Sequence, residues 1–270
     1  MQERKFDLPS PDRMGMLTAS VLLAFALTRL VQTPRLILSL DLPGFYFAFP
    51  LTLSTVMTFF AAGLTAAGMD WLIRDHPAFN KKSTRENIML PTLTTFVLGA
   101  SLALVFESPT WWVGFLFGAF LLAMVFTAEY VTINPTASAY AFARAALTAL
   151  AYALFLILVT SLRYSGVRLF LLIPAIFIVA GLISLRILHL DGTDRWDFPW
   201  AIGIGIVCSQ IGAGLHYWVL SPVQFGLALM GPLYALTVFS ASLTENIPLR
   251  RAVVGPLIIL FVSWVSIIFL

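Results

Sequence analysis

The sequence predicts an all-α fold, a polytopic bundle of transmembrane helices, on three observations. Sixty per cent of the residues are hydrophobic, only 11% are charged, and the mean hydropathy is +0.93. A soluble domain carries about 25% charged residues, so water would find too little polar surface here to solvate. Apolar stretches of about 20 residues, enough to cross a ~30 Å hydrocarbon core, recur along nearly the whole chain. Lysine and arginine, finally, gather in alternate connections, the bias that orients membrane proteins. No segment is left over for a soluble catalytic or nucleic-acid-binding domain. The net charge of +3 therefore concerns topology and not DNA.

A cytoplasmic N-terminal segment, residues 1–13, precedes a single bundle over 14–270. Nine spans follow in order. The first, Met14–Val31, is interrupted by Arg29; without a small-residue cleavage site it reads as a retained helix. The second is Gly44–Met69, and the third, Ile88–Phe106, has Pro91 near its start, where a missing N–H costs little. The fourth, Trp111–Ile133, carries Gly114-x-x-x-Gly118, and the fifth, Ala137–Leu162, repeats Ala141, Ala145, Ala149 and Ala153 every four residues. Val167–Leu188 is the sixth. The seventh, Pro199–Leu220, has Ala201, Gly205, Ser209 and Ala213 at the same spacing. The eighth is Pro222–Leu243. The ninth, Ala252–Leu270, ends without a polar tail, and if it does not cross there are eight.

Small residues let membrane helices approach closely, so spans four, five and seven are expected at the crowded centre. The small faces of spans five and seven are also where a membrane partner or second copy would dock. Trp111, Trp112, Tyr217, Trp218 and Trp264 sit at span ends as expected interface anchors.

Of the sixteen basic residues, Arg29, Arg35, Arg163 and Arg168 fall on one side and Arg144 inside a span, leaving eleven on the other side. That side, with the N-terminus, is assigned to the cytoplasm of a bacterial-type inner membrane. Its most polar stretch is "DWLIRDHPAFNKKSTRENI", Asp70–Ile88. The same stretch reads as a basic orienting loop touching anionic headgroups, or as a reactive cluster. "ENI" recurs as Glu86–Ile88 and Glu245–Ile247, each acidic residue suiting the positive end of the helix that follows.

A charge at the bilayer centre costs at least ~2.5–3.5 kcal/mol and is a functional-site hypothesis by default. Glu129 and Arg144 are such residues, on spans joined by the short "TINPT". They pair structurally, or they bind an anionic group. Ser209 and Gln210 are the polar mid-span residues of span seven. Arg74, Asp75 and His76, with Asp191 and Asp194, are the cytoplasmic-loop candidates for chemistry on a lipid-linked phosphate. No His-x-x-x-His, His-Glu-x-x-His, Gly-x-Ser-x-Gly or Walker spacing is present, so no metal or cofactor is expected, and the chain leans away from an enzyme. Cys208 is the one cysteine, which excludes an intrachain disulfide.

The segment "AAGMDWLIRDHP", with the overall hydropathy, resembles a family of bacterial polytopic membrane proteins with no assigned function. That resemblance implies a fold and no activity. The leading reading is a transporter-like carrier of a small or anionic solute. A non-catalytic scaffold or subunit of a larger complex is the alternative, and a membrane enzyme the third.

Overall fold

Apolar runs of this length become helices because lipid offers backbone N–H and C=O groups no partner, so each segment must satisfy its own. The computed structural model describes residues 9–31, 36–42, 45–77, 79, 84–190, 197–245 and 247–268. Within these the order is α1 (Pro11–Leu30), β1 (Leu36–Leu42), β2 (Phe45–Leu51), α2 (Leu53–Arg74), α3 (Arg85–Leu104), α4 (Thr110–Val131), α5 (Tyr140–Tyr164), α6 (Leu169–Leu190), α7 (Phe198–His216), α8 (Pro222–Thr244) and α9 (Leu249–Ile268). Eight of them, α1 to α8, are long and apolar enough to cross a membrane. The chain is a helical, multi-pass membrane protein.

The second span starts later than hydropathy implies. Residues 45–51 pair as an antiparallel ribbon with 36–42, Leu42 opposite Phe45 and Leu36 opposite Leu51. The reason is local: an aromatic-rich run beside a Pro-Gly pair is a hairpin signal, and Thr52 then caps α2, its hydroxyl accepting from the Thr55 amide at 3.2 Å. Pro91 likewise lies inside α3, past its first turn. Pro199 opens α7 as expected.

The chain divides into two compact units, Met1–Ala143 and Arg144–Leu270. In the first, Leu17, Val21 and Phe25 of α1 meet Met69 and Leu72 of α2 and Trp111, Leu122 and Phe126 of α4. The α2–α3 seam is close: Thr65 and Thr95 hydroxyls bond at 2.8 Å, and a Cβ on Gly99 would fall 2.6 Å from Thr58. Gly114 and Gly118 face Leu102 and Leu98 of α3. At one end Arg29 donates to the Phe106 carbonyl and lies over the Phe106 and Trp111 rings, 5.0 and 6.0 Å from their centroids. Trp111 is therefore core, 1% exposed, and not a lipid-interface anchor; Trp112 beside it is 54% exposed.

In the second unit Leu147, Leu154 and Phe155 of α5, Ile176 and Ile183 of α6, Cys208 of α7, and Phe225 and Leu229 of α8 are buried. Tyr152 and Thr237 hydroxyls bond α5 to α8 at 2.5 Å, and Trp264 of α9 donates to the Ala228 carbonyl at 3.3 Å. Ser221 and Gln224 form a reciprocal capping box at the start of α8.

The small-residue faces divide differently from the sequence expectation. Ala201, Gly205 and Ser209 of α7 are buried, with Gly205 against Phe177 of α6. Ala141, Ala145, Ala149 and Ala153 of α5 are exposed. Spacing marks where backbones can approach, but it does not name the neighbour.

Candidate functional site

Side chains on either side of the α2–α3 connection gather where four helix ends of the first unit meet. Asp70, one turn from the end of α2, bonds Arg74 Nε at 2.7 Å and accepts from the Thr84 hydroxyl at 2.5 Å. Thr84 stands just before α3, so this carboxylate ties the two ends of the connection together. Asp75, which follows α2, pairs with Arg13 of α1 at 3.0 Å. The Arg13 guanidinium also lies 4.8 Å over the Trp71 ring, an attraction that strengthens as water is excluded.

Beneath this rim the side chains are buried. His76 is 3% exposed, its ring 4.5 Å from that of Tyr130 near the end of α4. Next to Tyr130, Glu129 is 0% exposed. Its Oε2 accepts from Asn87 Nδ2 at 3.1 Å, and the same amide lies 3.3 Å from the Glu129 carbonyl and from Thr132 Oγ1. A carboxylate in the last turn of α4 faces the negative end of its own helix dipole. Asn87 sits in the first turn of α3, so the donors and the positive end of that helix offset the conflict.

Replacing Asn87 by alanine leaves the buried Glu129 oxygen without this donor. The expected loss is about 1–3 kcal/mol of stability, measurable as a lowered unfolding midpoint in detergent micelles. An unchanged midpoint would show that Asn87 does not sustain the cluster.

The structure brings Arg74, Asp75, His76 and Glu129 to one end of the first unit. Arg144 opens the second unit, half-buried, with its carbonyl accepting from Thr148 at 3.0 Å. Ser209 is buried and turned onto its own helix, bonding the Ile206 carbonyl at 2.8 Å, whereas Gln210 is exposed. Asp191 and Asp194 lie outside the described residues. Sequence reasoning missed Asn87, Tyr130 and the Arg13–Asp75 pair; the "ENI" word was the available signal for Asn87, read only as capping. Among the described residues no group of three or more His, Cys, Asp or Glu is placed to hold a metal ion.

No curated protein and no solved structure matches the chain. One family model does, described as "Protein of unknown function (DUF5656)", over residues 32–270. The match takes in the hairpin and every helix from α2 onward, including the cluster of Asp70, His76, Asn87 and Glu129. The chain, a multi-pass helical membrane protein, belongs to that family.

Proposed function

We propose that this protein is a carrier of a small anionic solute across a bacterial cytoplasmic membrane, with the N-terminus and the polar end of the first unit facing the cytoplasm. The observation that carries the reading is Glu129, a carboxyl group with no exposed surface near the end of an apolar helix. Ionisable groups inside spans are expensive and mark solute or proton pathways. Eleven of the sixteen basic residues belong to the side assigned to the cytoplasm, and Arg13, Arg74 and Arg85 stand at this same end of the first unit. Arg144, early in α5, carries a charge that attracts an anion, and its fork suits carboxylate or phosphate oxygens.

The test is reconstitution in liposomes, with current recorded after concentration jumps of a panel of inorganic and carboxylic anions. At least one anion is expected to evoke a current above that of empty liposomes. Glu129→Gln and Arg144→Gln, each confirmed as folded, are expected to reduce that current by about tenfold or more. A folded wild-type protein that moves no anion in the panel overturns the carrier reading in favour of a non-catalytic membrane subunit. A current that survives both substitutions removes these residues from the pathway.

A further inference from the structure

The end of the second unit formed by the last turns of α5 and α7 and the first turn of α8 carries a contact that depends on a single proton. Arg163 Nη1 lies 3.0 Å from His216 Nδ1. Its Nη2 is 3.5 Å from the Trp218 carbonyl, and the guanidinium sits 5.2 Å over the ring of Phe225. One arginine of α5 thus holds the C-terminal end of α7 and the start of α8. Guanidinium has donors only and keeps its proton at any physiological pH. Nδ1 of His216 must therefore be the acceptor, which requires a neutral imidazole with its hydrogen on Nε2.

A proton on Nδ1 removes the acceptor and sets two cations side by side. The other polar or charged groups among the described residues at this end include Ser161 and Tyr164 on α5, Ser165 after it, Arg168 at the start of α6, Tyr217 after α7, and Ser221 and Gln224 on α8. None of them is a carboxylate. The acidic residues of the unit, Asp191, Asp194, Asp197 and Glu245, all fall in the α6–α7 and α8–α9 connections, which follow the opposite ends of these helices. Among these described residues the favourable neighbour for the incoming proton is the negative end of α7 itself, which would draw the imidazolium towards its own helix and away from Arg163.

We infer that Arg163 and His216 form an acid-released latch that clamps α7 to α5 when His216 is neutral and frees the end of α7 when it is protonated. Histidine is the side chain suited to such switching, since its charge changes between about pH 5 and pH 8.

Spin labels at Ser165 and Val219, both exposed, report the separation of the two ends in the full chain in lipid nanodiscs, with Cys208 replaced by serine. A narrow distance distribution at about pH 7.5 is expected to broaden and lengthen by about pH 5. His216→Gln, whose amide oxygen still accepts but does not titrate, is expected to stay narrow at both. Nitrogen NMR of the wild-type imidazole provides a readout that does not depend on any variant folding, and Nδ1 is expected to be bare at neutral pH. The latch is overturned if wild-type distances do not respond to acid, if His216→Gln responds as the wild type does, or if Nδ1 carries the hydrogen at neutral pH.

Discussion

Trp111→Ala is expected to destabilise the first unit by roughly 3 kcal/mol, the low end of what emptying a buried Trp site costs. The ring is 1% exposed, stacked on Phe115 at 5.0 Å and 17°, and crossed by the edge of Trp112 at 5.0 Å. In lipid the unfolded reference is also apolar, so the transfer gain is small. What remains is the cavity and the lost dispersion contacts, together with the aromatic face beneath Arg29. Thermal unfolding in micelles, followed by circular dichroism, should show a clear fall in midpoint. Trp112→Ala, at 54% exposure, is the control and should move it by no more than about 0.5 kcal/mol. Equal effects from both would mean that Trp111 faces lipid and is no part of the core of this unit.

Gly205→Ala sets two effects of opposite sign against each other. Alanine in a helix interior is favoured over glycine by roughly 0.5–1 kcal/mol. At position 205, however, the new Cβ would lie 2.8 Å from the Phe177 backbone carbonyl and 3.0 Å from its ring. A backbone atom cannot swing aside, so α6 and α7 must separate, and overpacking of this kind costs about 1–3 kcal/mol. The clash is expected to win, leaving a net loss of stability. Gly203→Ala, two residues away with nothing within 4 Å, should be neutral or gain stability. If Gly205→Ala also proved stabilising in the same unfolding assay, the close α6–α7 approach would not exist.

The helices were legible because their signal is bulk hydropathy, which needs no knowledge of neighbours. The hairpin was hidden by the same measure: Phe45–Leu51 is as apolar as a span, and only its Pro-Gly neighbour and aromatic content distinguish it. Trp111 and Trp112 show a second limit. Adjacent residues on a helix point about 100° apart, so one becomes core and the other faces outward, and no property of the pair in sequence says which. For the site, Asp75, His76 and Glu129 stood out by residue type alone. Their convergence with Asn87 and Arg13 depends on which helix ends are neighbours, information carried by tertiary packing and absent from a three-residue word such as "ENI".

The ribbon between α1 and α2 sets a limit on where that connection can reside. A two-stranded sheet satisfies only its inner ladder, and both outer rims keep amides and carbonyls that oil cannot solvate. However greasy its composition, the segment 36–51 must therefore keep its rims at the wet boundary or under polar cover. A protease or antibody confined to one compartment, directed at this ribbon, would then report which face of the membrane the α1–α2 connection occupies.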